Sequence, residues 1–280
     1  MPGNIIWLGS YMKSGNTWLR LLLANLLSNE AKPVDINDFD LSPRSATRRD
    51  DLEELTLVDT SLLSRAELDT LRPRAVEAIS AQTEGLVFLK LHDAYRRGED
   101  GEPLLGQGHS RAALYMLRDP RDVVVSLSHH CGIMLDEAIN RMNRSSSWNP
   151  ARYTMHVPQM PLDWSSNVES WVDQQDVPVI VIRYEDMLAD TIGTLGRITD
   201  FLGLDLAPGR VEHAVRCADF RALQQQERDA GFRERIPVRG TPAPFFRSGR
   251  AGAWREILTT AQEEAIVAAH QRVMQRFGYL

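Results

Sequence analysis

The chain has 280 residues, of which 43% are hydrophobic and 25% are charged, a composition typical of a globular protein that can bury a sizeable core. Its formal net charge of −6 gives no reason to expect a nucleic-acid partner. Its two cysteines provide neither a disulfide framework nor a metal-binding set, and no signal peptide or apolar stretch of membrane-spanning length is found. We therefore expect no membrane span and a cytoplasmic location.

Short apolar runs typical of buried strands alternate with helical patterns along the chain. The strand candidates are apolar on both faces, as in a parallel sheet covered on both sides, and cover residues 5–8, 85–91, 112–117 and 177–184. Leucine-rich or amphipathic patterns predict helices over residues 17–30, 121–142, 190–204 and 260–278. This alternation predicts the α/β class: a single domain over residues 1–280, built on a doubly wound, mainly parallel sheet flanked by helices.

Three segments carry no clear secondary-structure pattern, at residues 32–75, 143–166 and 228–253. Loops this long in a compact domain are often functional. The aromatic residues and methionines within them favour lids that order around a ligand. We take residues 131–166 and 224–246 as the candidate lid segments.

Residues 9–18 (GSYMKSGNTW) join the first strand to the first helix. The backbone N–H groups from about Ser14 onward, together with the helix dipole, would form an anion site, and Gly15 permits the close backbone approach. Lys13 adds a positive charge, and Thr17 adds a hydroxyl donor. The nucleotide-triphosphatase pattern is absent, because Asn16 rather than lysine follows the second glycine. The alternative is an ordinary strand–turn–helix junction with an exposed lysine.

Residues 114–130 (LYMLRDPRDVVVSLSHH) again predict a strand followed by a helix, with Asp119 as its cap and Pro120 at its first position. The alternative is that this is a well-formed helix start and nothing more. However, Arg118 lies at the carboxyl end of the strand, where open α/β sheets bind ligands. Ser126 lies about two turns into the helix, so both side chains could contact one phosphate. Two separate phosphate elements indicate a ligand with two separated phosphates.

These motifs resemble the signatures of the cytosolic-type sulfotransferases, which use 3′-phosphoadenosine 5′-phosphosulfate (PAPS). Residues 11–18 (YMKSGNTW) are similar to the family's Tyr-Pro-Lys-Ser-Gly-Thr-Thr-Trp. Residues 118–122 (RDPRD) are similar to Arg-Asn-Pro-Lys-Asp, with Ser126 at the family's spacing. Residues 247–254 (RSGRAGAW) are similar to Arg-Lys-Gly-x-x-Gly-x-Trp. The three motifs occur in the family's order and span nearly the whole chain.

The resemblance implies a P-loop-like site for PAPS as co-substrate, without a metal. The implied donor-binding residues are Lys13, Ser14, Gly15, Asn16, Thr17, Trp18, Arg118, Ser126, Tyr184, Arg247, Ser248 and Gly249. In the family the lysine reaches the bridging oxygen of the phosphosulfate, the following backbone amides hold the 5′-phosphate, and the aromatic residues meet the adenine. Asn16 and Ser248 depart from the family's threonine and basic residue, which removes one hydroxyl donor and one positive charge.

A general base is predicted in residues 88–92 (FLKLH), where Lys90 and His92 point to one face of a strand. The unperturbed pKa of histidine, about 6.5, suits a base near neutral pH. The family carries Lys-x-His at this place, so the resemblance implies His92 as base and Lys90 beside the transferring group, with Lys13 as the third catalytic residue. The alternative for His92 is a structural histidine bonded to backbone, and His129 and His130 are its rivals.

Two other functions remain open from the residues. A kinase-like phosphotransferase would need the lysine after Gly15 and an acidic metal ligand. A non-catalytic module that binds a nucleotide bisphosphate would keep the phosphate contacts and have no need of Lys90 and His92.

The acceptor is expected to be a small molecule with a hydroxyl group. An apolar or aromatic alcohol is favoured by residues of the first lid, namely Trp148, Tyr153, Met155, His156, Met160 and Trp164, whereas an acidic acceptor is favoured by arginines of the second, namely Arg228, Arg233, Arg235 and Arg239. Residues 255–264 (REILTTAQEE) resemble the family's subunit-pairing segment, which implies a possible homodimer. The alternative there is a helix start capped by Thr260 and Glu263.

Overall fold

The computed structural model of the chain describes residues 3–39, 41–42, 44–99, 101–106, 108–145, 155–235 and 244–280. These residues fall into two compact units. The first unit lies within Met1–Tyr11, Ser42–Tyr115 and Arg144–Val181, and the second within Met12–Leu41, Met116–Asn143 and Ile182–Leu280. A single domain over residues 1–280 stays a prediction.

The α/β class is confirmed, with a four-stranded parallel sheet flanked by helices. Its strands are β1 (Ile5–Ser10), β2 (Val87–Leu91), β3 (Ser110–Leu117) and β4 (Val179–Arg183), in the order β2-β1-β3-β4. All four strand predictions are correct to within a few residues. β1 runs parallel to β2, with Ile5 opposite Val87 and Gly9 opposite Leu91. All six residues of β1 are buried, as expected for a strand covered on both faces.

The helices of the first unit lie partly in the segment that showed no clear pattern. They are α2 (Arg49–Thr56), α3 (Arg65–Gln82) and α6 (Trp164–Val172), with a 3₁₀ turn at Thr60–Leu62. α3 begins at a capping box in which Ser64 accepts from the Glu67 amide and Glu67 accepts from the Ser64 amide. Leu52, Leu68 and Val157 form part of a small buried apolar cluster beneath these helices.

The second unit holds the remaining helices, and α1 follows β1 directly. They are α1 (Asn16–Leu27), α4 (Pro120–Cys131), α5 (Leu135–Met142), α7 (Tyr184–Ala189), α8 (Thr191–Leu202), α9 (Arg210–Cys217), α10 (Phe220–Ala230) and α11 (Thr260–Arg276), with a 3₁₀ turn at Ala253–Glu256. Within the described ranges, no helix is long and apolar enough to cross a membrane.

Two details of the predicted helices are wrong. The helix predicted over residues 121–142 is interrupted, because Gly132 takes a left-handed φ of 62° and ends α4. The cap of α11 is one residue earlier than predicted: Thr259 and Gln262, rather than Thr260 and Glu263, form the capping box. Asp119 caps α4 as predicted, by accepting from the Arg121 amide.

A buried polar network in the first unit fixes the end of β2. The side-chain amide of Asn167 on α6 donates to the carbonyl of His92 (3.1 Å) and to that of Pro161 (2.7 Å). Its oxygen accepts from the Tyr115 hydroxyl at 2.6 Å, and the Trp171 indole donates to the Asp93 carbonyl. Because Asn167 and Trp171 have no exposed surface, these bonds replace water fully and fix the backbone at His92.

We predict that Asn167→Ala lowers the free energy of unfolding by about 3 kcal/mol, because it leaves the Tyr115 hydroxyl and two carbonyls buried without their partner. Urea denaturation of the full chain measures this change. Gln175→Ala is the control, since that exposed side chain makes a local bond to the nearby Asp173 carbonyl. This substitution should change stability by less than about 0.5 kcal/mol. Equal stability of Asn167→Ala and the parent would contradict the structural role.

Candidate functional site

The predicted phosphate loop lies between β1 and α1, and its residues 12–15 belong to the second unit. Gly15 lies at the N-cap with a φ of 103°, and a Cβ atom there would lie 2.7 Å from the ring of Tyr184. Both facts require glycine. α1 has no side-chain cap and no acidic residue in its first turn. Its N-terminal amides are therefore oriented toward whatever anion occupies the turn.

Three side chains of this loop are held in distinct ways. Ser14 is buried, and its hydroxyl has no hydrogen-bond partner among the described residues. The ammonium of Lys13, whose backbone is left-handed (φ 66°), lies 4.2 Å from the centre of the Phe245 ring. The Thr17 hydroxyl donates to the carboxylate of Glu234 at 3.0 Å. A buried hydroxyl without a partner at a helix start fits the binding of a phosphate group.

The guanidinium of Arg118 connects the two predicted phosphate elements. It lies 4.2 Å from the centre of the Tyr184 ring, donates to the Arg250 carbonyl at 3.1 Å, and approaches the Lys13 carbonyl at 3.5 Å. Its Nε atom has no partner within the described residues. Lys13, Arg118 and Tyr184, which were predicted to bind one ligand, are thus brought together within one unit.

Further positive charge surrounds Arg118. The pKa of Arg247 is lowered, first by burial and then by the neighbouring charge of Arg118, with Arg250 acting in the same direction. The Asp122 carboxylate, 3.9 Å from the Arg118 guanidinium, offsets part of the repulsion between these guanidinium groups, and a bound anion would relieve more of it. Ser126 is half-buried on α4, as is Ser248 in the late loop.

The late loop, which carries Arg247, is held to α10 by side chains that were not predicted as site residues. The carboxylate of Glu227 accepts from the backbone amides of Phe245 and Phe246, and Gln224 donates to the Phe246 carbonyl. Gly249 has a φ of 58°, and a Cβ atom there would lie 2.7 Å from the ring of Phe220. The loop that carries Arg247 therefore has a defined place in the second unit.

Aromatic rings complete this region. Trp18 and Tyr184 meet edge to face at 5.7 Å between ring centres, and the Trp18 indole donates to the Ala218 carbonyl. Phe220 packs against Phe246, and its ring lies beside Gly249. Such rings provide flat apolar surfaces for a purine base.

The predicted base lies in the first unit, immediately after β2. The Nδ1 atom of His92 lies 3.0 Å from the carbonyl oxygen of Ser10 and 3.1 Å from its hydroxyl. A carbonyl can only accept, so Nδ1 carries the proton and Nε2 is the basic nitrogen of the neutral ring. His92 is thus bonded to backbone through Nδ1, as the alternative predicted, and its Nε2 atom can still accept a proton.

Lys90 lies close enough to His156 for its charge to affect the pKa of that histidine. Burial lowers the pKa of His156, a hydrogen bond to the Thr47 backbone raises it, and the positive charge of Lys90 lowers it again. His156 belongs to the first candidate lid. Lys90 is half-buried, while both of its neighbours in β2 are buried.

The remaining predicted residues have mixed outcomes. Trp148, Tyr153 and Arg239 lie outside the described residues. Trp164 is fully buried at the start of α6, which indicates a core residue rather than a pocket wall. His129 is exposed, and His130 meets the edge of Phe245. The assignment of His92 as the base over these two stays a prediction. Among the described residues, no group of three or more metal-ligating side chains is found.

Comparisons with known proteins agree on one family. A family profile described as "Sulfotransferase domain" matches residues 107–278, more than half of the chain. Sulfotransferase 2A6 of Rattus norvegicus is 26% identical over 166 residues, which are 59% of this chain and 57% of that protein. The 3-alpha-hydroxysteroid sulfotransferase of Cavia porcellus is 27% identical over 165 residues, which are 58% and 55%. The chain thus matches a little over half the length of these curated relatives.

Solved structures share the fold. Mouse sulfotransferase SULT7A1 complexed with PAP has a TM-score of 0.61 at 18% identity, covering 97% of this chain and 84% of that one. Retinol dehydratase in a complex with retinol and PAP has a TM-score of 0.62 at 20% identity, covering 98% and 82%. At these identities the likeness concerns the fold alone.

The Gly15 position generates a stability prediction. Gly15→Ala should lower the free energy of unfolding by roughly 2 kcal/mol, because the new Cβ atom meets the Tyr184 ring and the backbone is left-handed. The matched control is Gly196→Ala within α8, where a Cβ atom meets nothing within 4 Å. That change should stabilise the chain by about 0.5–1 kcal/mol. Thermal and urea unfolding measure both, and a neutral Gly15→Ala would contradict the packing described.

The lowered pKa of His156 generates a pH prediction. The unfolded chain, in which histidine titrates near pH 6.5, binds more protons than the folded one, so the stability linked to this residue is present above about pH 6.5 and lost as the pH falls through the folded-state pKa. His156→Gln should therefore lose less stability than the parent between about pH 7.5 and pH 5. Urea denaturation at several pH values tests this, and a parallel decline in both proteins would refute it.

Proposed function

Because this chain belongs to the sulfotransferase family, we propose that it transfers the sulfuryl group of PAPS to a hydroxyl group of a small organic acceptor. The observation that carries the proposal is the position of Arg118, whose guanidinium lies against Tyr184 and near the Lys13 carbonyl. The matched family region includes Arg118, Tyr184 and Arg247, whereas the phosphate loop precedes it and is supported by its own geometry.

The residues present fit a ligand with two phosphates. The buried Ser14 hydroxyl and the N-terminal amides of α1 suit the 5′-phosphate, and the guanidinium groups of Arg118 and Arg247 suit the 3′-phosphate. Ser126, Ser248 and Gly249 are proposed as further 3′-phosphate contacts. Trp18, Tyr184 and Phe220 offer rings for the adenine.

The proposed reaction is an in-line displacement at sulfur. When bound, PAPS supplies the sulfuryl group: the bond between sulfur and the bridging phosphate oxygen breaks, its electron pair stays on the phosphate, and a new bond forms between sulfur and the acceptor oxygen. Lys13 stabilises the charge that develops on the bridging oxygen, and Lys90 that on the sulfuryl group. The products are 3′,5′-bisphosphoadenosine (PAP) and a sulfate ester.

His92 is the proposed general base. The Ser10 carbonyl holds the proton on Nδ1, so Nε2 takes the proton of the acceptor hydroxyl. Asn167 and Trp171 hold the backbone carbonyls of His92 and Asp93, which limits the motion of the base. A base held in one tautomer and one orientation loses little of its efficiency to reorganisation.

The acceptor is proposed to be a small apolar alcohol. Met160 bonds through its backbone amide to the Asp93 carboxylate (2.6 Å), and its carbonyl accepts from Ala94, so the segment at residues 157–161 runs beside the residues that follow His92. Val157 and Pro161 of this segment are buried. A relative named as a 3-alpha-hydroxysteroid sulfotransferase and a structural neighbour bound to retinol support the same class.

A substitution of the base tests this mechanism. His92→Ala should lower the rate of sulfate-ester formation from PAPS by about 10²–10⁴-fold, because proton removal from the acceptor is no longer assisted. PAP affinity, measured by isothermal titration calorimetry, should stay within about twofold of the parent, since the donor residues belong to other segments. Turnover is followed by release of PAP with an unhindered phenol and a hydroxysteroid as acceptors.

The matched control is His213→Ala, which removes a half-buried histidine that contacts Cys217 on α9. It should leave turnover unchanged. Near-normal turnover of His92→Ala would remove His92 as the base, and binding of PAP without turnover on any alcohol would favour the non-catalytic alternative.

A further inference from the structure

A carboxylate of the second unit is bound to the first two turns of α1, beside the predicted phosphate loop. Glu234 accepts from the Thr17 hydroxyl through Oε2 (3.0 Å), and its Oε1 lies 2.6 Å from the guanidinium of Arg20. Both partners lie on α1, and Arg20 is buried. The motifs that carry the family resemblance contain neither Glu234 nor Arg20.

Contacts made by the residues next to Glu234 fix its position. The side chain of Asn37 donates to the Gly231 carbonyl at 3.1 Å and accepts from the Arg233 amide at 2.8 Å. The ring of Phe232 packs on those of Phe39 and Phe245. Several independent contacts therefore hold residues 231–235 beside α1. They place the carboxylate of Glu234 next to the Thr17 hydroxyl.

This arrangement conflicts with donor binding. A threonine hydroxyl has one proton, so a Thr17 hydroxyl that donates to Glu234 cannot donate to a phosphate oxygen at the same time. The carboxylate also brings a negative charge to the helix start that is to receive an anionic group. The other chemical group of the loop, the Lys13 ammonium, rests on Phe245 of the same region.

We propose that Glu234 is an internal competitor of the donor phosphate and weakens the affinity of the chain for PAPS and PAP. Donor binding moves the Thr17 hydroxyl from the carboxylate to the phosphate, while Arg20 retains the carboxylate and compensates its charge. This inference rests on the proposed function, because it takes Thr17 as a ligand of the 5′-phosphate. It makes Glu234 an affinity-determining residue that does not itself bind the donor.

Calorimetric titration of the full chain with PAP tests the proposal. Glu234→Gln keeps the size of the side chain and removes its charge, and it should tighten PAP binding by roughly fivefold to tenfold, with a larger gain at low ionic strength. Glu234→Ala should act in the same direction, which separates the loss of charge from any new bond made by glutamine. Thermal unfolding checks that both variants remain folded.

The matched control is Glu137→Gln, which removes the same charge from an exposed pair with Arg141 on α5. It should leave PAP affinity unchanged. Unchanged or weaker binding by both Glu234 variants, or an equal gain in the control, would overturn the proposal while the donor assignment stands. Failure of the parent chain to bind PAP would instead overturn the proposed function, and this inference with it.

Discussion

The arrangement of the second unit depends on how one guanidinium group is satisfied. Arg118 stands at the end of β3, against the face of Tyr184 and beside two backbone carbonyls, those of Arg250 and Lys13. These contacts bring the end of a strand, the phosphate loop and the late loop to one point, although they are far apart in sequence. They leave the Nε atom without a partner in the described part of the chain, and Arg247 and Arg250 add positive charge that Asp122 offsets in part. An arginine held by its neighbours in this way loses little conformational entropy when it binds an anion in a fork.

The supports around this point are themselves polar and buried. Asp122 accepts from the amides of Gly252 and Trp254, and Glu227 accepts from those of Phe245 and Phe246, so two carboxylates position the loop that carries Arg247. In the first unit, Asn167 holds the carbonyl of His92 in the same manner. Side chains that bond to loop backbone define loop geometry without regular secondary structure, because each buried backbone group has a fixed partner. In both units, buried polar side chains thus hold the backbone next to residues that we propose for the site.

The features that could be predicted from the sequence are those set by residues close together in the chain. The four strands were predictable because continuous apolar runs mark a buried parallel sheet, and the glycine at position 15 was predictable from the strand–turn–helix pattern. α3 was not predicted, because its charged residues and the internal Pro73 hide its periodicity. The break at Gly132 was missed because the helical pattern resumes at once in α5. Glu234 lies 217 residues from Thr17, and no local pattern announces a contact over that separation. Phosphate contacts by Lys13, Arg118 and Ser126 were predicted from the residues themselves, whereas the adenine contact and the base role came from the family resemblance. The geometry supplied the tautomer of His92 and the contacts of the Tyr184 ring with Arg118 and Trp18.

The left-handed backbone of Lys13 sets the stability of the folded chain against the proposed role of this lysine in sulfuryl transfer. A φ of 66° suits glycine or asparagine, and a lysine there costs on the order of 1 kcal/mol. Replacement by glycine would relieve this cost and would also remove the ammonium to which we assign the stabilisation of the bridging oxygen. Selection for thermal stability alone would therefore favour the loss of this lysine. Engineering of more stable variants should include a turnover assay at every round of selection.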